Sequence, residues 1–553
     1  MRHSLLASLL ILACTATLLA QQSNLVVNSG ITSPLHKANI GKIRFAADIE
    51  PAEHYTEADF LDSFLLKRKA DLNLLAFMDN SLTNYLHTLA PNLQPEQLVL
   101  QGNYQFTFYV DGQPIYQENL HPGAGSAQTK NTNTLLTVPL LSTQNEHIWS
   151  RFLWSRFLGS GGEQVLTEGK HKLKIEIRPY VNNPELVVGE VIAAGQLELT
   201  IRKPQIDTSK VTLNKIIPAE GWAISKESFD SSKIRELKAS IDEDMLIDIT
   251  SLVVVKNGRL LIEEYFNGAD RNTLHDTRSV GKSFASTLTG IALQEGHLAH
   301  VNQSLKEFYT LKNFAHYTPE KENITIKNLL SMSSAFDGND ALSLSPGNEE
   351  NMYPTENWVK FTLDLPLDTA KPAKAWKYFT AGVVLLGDIL HKTVPGGLEK
   401  YANEKLFRPL GITAYKWQHT PQGVANTAGS LQMRSLDYAK YGQLYKNLGK
   451  WNNKQILSKD WVEETFTRHK AIPERENEYY GYLFWNKQFS VNGKPYEAFY
   501  SAGNGGNAIF IFKNLPLVVV ITATAYGAPY SHSQVQEMME LYVLPAVINN
   551  KTR

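Results

Sequence analysis

The chain has 553 residues, 43% of them hydrophobic, and its 54 basic and 55 acidic residues nearly cancel to a net charge of −1. That length suits about two to four domains of roughly 150 residues, and the even charge argues against nucleic acid or an anionic membrane surface as the main partner. The single cysteine, Cys14, excludes an internal disulfide, an all-cysteine zinc site and an iron–sulfur cluster.

Arg2 and His3 precede an apolar run from Leu5 to Ala20, and polar Gln21, Gln22, Ser23 and Asn24 follow. A basic start, a short apolar stretch and a small residue before polar chain are the marks of a secretory signal over residues 1–20. The run is shorter than the roughly 20 residues of a membrane span. The alternative is lipidation: Ile11, Leu12, Ala13 and Cys14 form a loose bacterial lipobox that would make Cys14 a membrane anchor. Either way the expectation is an exported bacterial protein, periplasmic or secreted, or else a lipoprotein.

Residues 24–205 read as a β-rich, sandwich-like accessory module of unknown role. The stretch from Tyr104 to Val110 alternates apolar and polar residues, meets Asp111 and Gly112, and resumes at Gln113 to Tyr116. Alternation on both sides of Asp-Gly is a strong hairpin signal. Lys172 to Arg178 and Gln196 to Arg202 alternate in the same way, as half-buried strands do. The segment Asp59 to Leu89 reads as more helical. The aromatics Trp149, Phe152, Trp154 and Phe157 are either core or the lining of a carbohydrate or peptide surface.

Lys203 and Pro204 open a polar linker, taken as residues 206–219, and residues 220–550 form one larger α+β region. A hairpin is expected from Ser251 to Ile262 around Asn257-Gly258, helices over Ser283–Glu295, Ala381–Lys392 and Ser435–Leu448, and strands over Ala508–Phe512 and Leu517–Ile521. Strands at both ends with helices between them predict one sheet shared by the two ends.

Chemistry concentrates between the hairpin and the first long helix. Ser279 and Lys282 are three residues apart, so on a helix their side chains meet on one face. A serine hydroxyl needs a base to become a nucleophile, and a lysine serves if its surroundings favour the neutral amine. The S-x-x-K spacing arises by chance about once or twice in a chain this long, and a helix start with a solvated lysine explains it equally well by itself. His275 and Asp276 are sequence neighbours and read as structural. No serine sits in G-x-S-x-G, no histidines sit in H-E-x-x-H, and Gly503 to Gly506 lack the G-K-[ST] of a phosphate loop.

Several segments in one order lift the pattern above chance. His275 to Phe284, Ile324 to Ser334, Trp376 to Gly382, Leu406 to Gly411, Tyr438 to Tyr445 and Ser501 to Gly506 together resemble the penicillin-recognising serine hydrolases: class C β-lactamases, D,D-peptidases, 6-aminohexanoate-dimer hydrolases and related esterases. The resemblance covers about residues 220–550. It implies an antiparallel sheet flanked by helices, with a helical subdomain. It also implies an acyl-enzyme on Ser279, with Lys282 and Tyr378 relaying the proton, and needs neither metal nor cofactor. The backbone N–H groups of Ser279 and Asn504 would form the oxyanion hole, with Gly503 allowing close approach of the strand.

Two positions depart from the family pattern. Thr380 stands where the family has an asparagine that positions the lysine and the substrate amide. Ser501 replaces a cationic residue that recognises a substrate carboxylate. Arg278 and Arg434 are candidates to replace the lost cation, or else solvated or capping residues. The departures point to a neutral ester or amide, small or peptide-like. The competing readings are a binding or scaffold protein with decayed chemistry, and a D,D-peptidase or β-lactamase acting on cell-wall-type substrates.

Overall fold

The computed structural model describes residues 24–548 except 52, 68–69, 143–152, 203–205, 219–220, 369–374 and 474. The signal over residues 1–20, Cys14, Trp149, Phe152, and the Lys203–Pro204 break lie outside the described residues.

In the N-terminal region both φ angles at Asp111 and Gly112 are positive, 50° and 82°. That is the backbone of the tight hairpin turn whose twist matches its strands, and Val110 pairs with Gln113 across it. The strand Gly102–Val110 then pairs with Gly169–Asn182, which pairs with Ala193–Ile201, and the parallel strand Ser63–Leu66 closes that edge. Ile43–Ala46, Leu72–Phe77 and Leu135–Leu141 form a second, three-stranded sheet. Side chains from both sheets enter one apolar core, with Phe106, Phe108, Ile175, Leu74 and Val138 fully buried. Trp154 and Phe157 belong to that core, where Phe157 stacks on Phe108 at 4.8 Å. The segment Asp59 to Leu89 corrects the sequence reading. Only Leu82–Leu89 is an α-helix of any length there, and two strands precede it. Every residue of Leu72–Phe77 is buried, so the run shows no two-residue alternation, and a short apolar run cannot be told from helix by periodicity.

The larger region is built on an eight-stranded antiparallel sheet. Its order is Arg259–Tyr265, Ile249–Lys256, Leu517–Ala523, Asn507–Phe512, Lys494–Gly503, Trp485–Val491, then two short strands at Tyr479–Tyr480 and Lys470–Ala471. Asn257 and Gly258 make the same turn as Asp111 and Gly112. Strands from both ends of the region lie side by side, Val253 opposite Val520. Val253, Val255, Ile509, Val518 and Val520 face one apolar core, and Leu252, Val254, Phe510, Val519 and Ile521 face another. Both faces are therefore covered, which is why these strands read as unbroken runs of β-branched residues. Each fully buried Val or Ile contributes about 1.5–3 kcal/mol.

Helices Gly281–Gln294, Thr380–Thr393 and Ser435–Lys446 occupy the first core. Short helices between residues 319 and 402 form the helical subdomain beside it. Among the described residues no helix is long and apolar enough to cross a membrane.

Candidate active site

Ser279 sits in a single 3-10 turn, Arg278–Val280, that runs into helix Gly281–Gln294. A helix start leaves its first backbone N–H groups unpaired and carries positive dipole potential. Arg278, just before the serine, has φ of +50°, a conformation costly for a residue with a side chain. Two supports hold it: the Arg278 N–H donates to Asp276 Oδ1 at 3.0 Å, and its guanidinium lies 4.2 Å over the Tyr526 ring. Beneath the turn, the buried Thr277 hydroxyl donates to Tyr438 Oη at 2.8 Å, and Tyr438 donates on to the Leu431 carbonyl at 2.6 Å.

One helical turn on, Lys282 is only 2% exposed. Its Nζ is 2.8 Å from Ser279 Oγ and 2.6 Å from the carbonyl oxygen of Ala428. The loop carrying Ala428 reaches the helix because Gly281 faces Gly429, where an added Cβ would stand 3.1 Å from the Gly429 Cα. Lys282 Nζ also lies 5.2 Å from the centre of the Tyr378 ring. Tyr378 is half-buried and stacks on Trp485 at 5.6 Å and 22°. Trp376, Tyr480 and Tyr500 extend that aromatic wall.

The strand end Ser501–Gly503 packs against the serine turn. A Cβ on Gly503 would collide with the Thr277 carbonyl oxygen and stand 3.1 Å from the Ser279 nitrogen, so only glycine lets the strand approach this closely. Asn504 turns its side chain away, its Oδ1 accepting from Gly527 N–H at 2.7 Å.

Two of the expected site residues lie inside the fold. Ser501 is fully buried and donates to Ser283 Oγ at 2.7 Å, and Ser283 in turn donates to the Leu483 carbonyl at 2.8 Å. Its hydroxyl fastens strand to helix. Thr380 is also fully buried at the start of its helix. Lys282 Nζ donates its hydrogen bonds to Ser279 Oγ and the Ala428 carbonyl, not to the Thr380 side chain. Neither arginine candidate is a ready substitute cation: Arg278 is 3.8 Å from the Asp276 carboxylate, and Arg434 donates to Asp437 at 2.7 Å.

What the sequence did not disclose is Asp340. Its Oδ2 accepts the Thr380 N–H at 2.7 Å, its Oδ1 accepts the Glu349 N–H at 2.9 Å, and its own N–H donates to the Tyr378 carbonyl at 2.9 Å. Burial, then the nearby Glu349 carboxylate, pushes its carboxyl up to about 7 against the pull of Thr380 and the Lys282 charge. In sequence, Asp337 to Asp340 reads as an ordinary polar turn, and no local signal marks the last residue. His275 and Asp276 form no triad: His275 is buried, with Nδ1 3.2 Å from the Thr250 hydroxyl. Among the described residues no three His, Cys, Asp or Glu side chains are grouped to hold a metal ion.

A family model described as Beta-lactamase matches residues 239–538. Solved structures similar to this chain include a protein from Bacillus anthracis assigned as a 6-aminohexanoate-dimer hydrolase, with 19% identity over 53% of this chain and 78% of that one and a TM-score of 0.45. Another is the octameric penicillin-binding protein homologue of Pyrococcus abyssi, with 19% identity, 56% and 79% coverage and a TM-score of 0.42. A third is a D-stereospecific amidohydrolase of a Streptomyces species, with 16% identity, 53% and 94% coverage and a TM-score of 0.41. No curated protein matches the chain.

Proposed function

This chain belongs to the Beta-lactamase family, and from that premise we propose that it is an exported serine hydrolase that cleaves a neutral ester or amide through an acyl-enzyme on Ser279. The observation that carries the reading is the buried Lys282 Nζ held 2.8 Å from Ser279 Oγ. Lys282 accepts the serine proton while Oγ bonds to the acyl carbon. The proton passes from Lys282 to Tyr378, whose ring centre lies 5.2 Å from Nζ, as Tyr378 gives its own to the departing alkoxide or amine, so that one proton in all moves from serine to leaving group. The negative oxygen of the tetrahedral intermediate is met by the backbone N–H groups of Ser279 and Asn504. Water then attacks the acyl-enzyme by the reverse proton path and releases the acid.

Support for a neutral substrate comes from what surrounds this pair. Ser501 is tied to Ser283, Arg278 is supported by Asp276 and Tyr526, and Arg434 is paired with Asp437. A substrate carboxylate would thus find no dedicated cation among these three, which weighs against cell-wall peptides and β-lactams.

The test is turnover of p-nitrophenyl esters and labelling by a fluorophosphonate, on wild type and Ser279→Ala. Labelling and turnover that vanish with Ser279 support the reading, and a wild type that neither labels nor turns over favours a binding protein with decayed chemistry. A penicilloyl adduct on Ser279 would overturn the neutral-substrate part. Export is checked by mass spectrometry of the mature N-terminus, which distinguishes a Gln21 start from a diacylated Cys14.

A further inference from the structure

The N-terminal module touches the larger region at a corner close to Asp340. Arg156 donates from Nη1 to Glu118 Oε1 at 3.1 Å and from Nη2 to Glu350 Oε1 at 3.3 Å. All three side chains are less than a third exposed, Glu118 only 9%. A planar guanidinium can bridge two carboxylates from fixed donor positions, as an ammonium cannot. Beside it, His121, just past the strand Gln113–Asn119, lies near Asn351, whose side chain donates to the Ser345 carbonyl at 3.1 Å. Glu350 and Asn351 are neighbours in the short helix Glu349–Met352. The module therefore grips this helix at Glu350.

That helix is joined to the site by hydrogen bonds. The N–H of Glu349 is the one accepted by Asp340 Oδ1, and Asp340 holds both the Tyr378 carbonyl and the Thr380 N–H. The rim on which it lies also carries Leu342, Leu344 and Tyr353 exposed to solvent. A segment that buries so few of its apolar side chains draws little order from packing of its own, so ties from outside matter more.

We propose that residues 24–205 serve as a fixed jaw of the active site, with Arg156 as a positioning residue that holds Tyr378 in register through Glu350, the Glu349–Met352 helix and Asp340. The idea deepens the hydrolase reading and rests on it for its catalytic consequence. Arg156 touches no reacting atom. The tie to Glu350 is partly exposed at both ends, 29% and 25%, so it adds little to global stability, while a small displacement of an acid–base group costs much in rate.

The experiment uses the full-length protein with Arg156→Ala, Glu350→Ala and both together. Two quantities are read: amide hydrogen exchange in peptides containing Glu349 and Thr380, and steady-state ester turnover. Each single variant is expected to speed exchange in those two peptides by roughly three- to thirtyfold and to lower kcat by a similar factor, with KM little changed. The double alanine variant should be no worse than either single one. Unchanged exchange in both single variants overturns the proposal, as do losses that simply add. Faster exchange spread evenly over the molecule with a lowered melting temperature also overturns it, since that is general destabilisation. The exchange arm does not depend on turnover. An inactive wild type would refute the hydrolase reading and leave the positioning claim decided by exchange alone.

Discussion

Asp340 and Tyr378 are joined by a backbone hydrogen bond of 2.9 Å, from the Asp340 N–H to the Tyr378 carbonyl. The Asp340 carboxylate closes the clasp two residues later, on the Thr380 N–H. A tyrosine on the irregular segment before a helix is thus fixed from the main chain, leaving its ring free to stack on Trp485 and to face Lys282.

Replacing Asp340 by Asn leaves one oxygen for two N–H donors and turns an NH2 group toward the other. An unpaired buried N–H costs about 1–3 kcal/mol, and the slack should lower kcat by roughly tenfold or more. Ester kinetics with a thermal melt check this, and an unchanged kcat would remove Asp340 from the site's support.

Lys282→Met keeps the length of the side chain and removes the amine. Turnover should fall by about 10²–10⁴-fold, the usual worth of a positioned general base. Stability should change less, by about 1–3 kcal/mol for the Ala428 carbonyl left without its donor. Single-turnover acylation rates and a urea titration separate the two effects.

Gly503→Ala puts a Cβ into the Thr277 carbonyl and against the serine turn. A loss of about 1–3 kcal/mol from overpacking should come with loss of fluorophosphonate labelling, because the strand must retreat from Ser279. Gly159→Ala is the comparison: a Cβ there meets nothing within 4 Å, and stability should move by no more than about 0.5 kcal/mol.

Ser501→Ala tests the inward hydroxyl. If Ser501 only fastens strand to helix, the variant loses about 1 kcal/mol of stability and its KM stays within about threefold of wild type. A large rise in KM with unchanged stability would return Ser501 to the substrate.

Two buried groups should oppose each other in acid. Burial lowers His275 to about 4, so from pH of about 6.5 down to about 4 the unfolded chain takes up a proton that the folded one refuses, and stability falls as pH falls. Asp340, raised to about 7, acts the other way: the folded carboxyl binds its proton well above the ordinary value of about 4, so its contribution falls as pH rises between the two. Asp340→Asn should therefore steepen the acid loss, and His275→Gln should flatten it. Urea midpoints at several pH values in that window are the measurement, and parallel profiles for all three proteins would contradict both assignments.

The sequence by itself determined what is local. Both Asx-Gly hairpins form because the turn residues accept positive φ and the flanking alternation fixes the register. The three helices appear within a few residues of their expected places. Ser279 meets Lys282 because three residues on a helical turn bring side chains together whatever surrounds them. That strands from the two ends share one sheet was also legible, since apolar strands at both ends of a domain have few other places to be buried.

Tertiary structure alone decided the rest. The acceptor that holds Lys282 is a backbone carbonyl 146 residues away, and a carbonyl carries no residue-specific mark. Asp340 matters through two N–H donors and one carbonyl on other segments, and its charge state follows from burial that no sequence neighbour imposes. Ser501 faces Ser283 because sheet register sends alternate side chains to opposite faces. The strands before Leu82 read as helix in the sequence for a related reason: full burial of Leu72–Phe77 erases the two-residue alternation, and what buries them is the rest of the module.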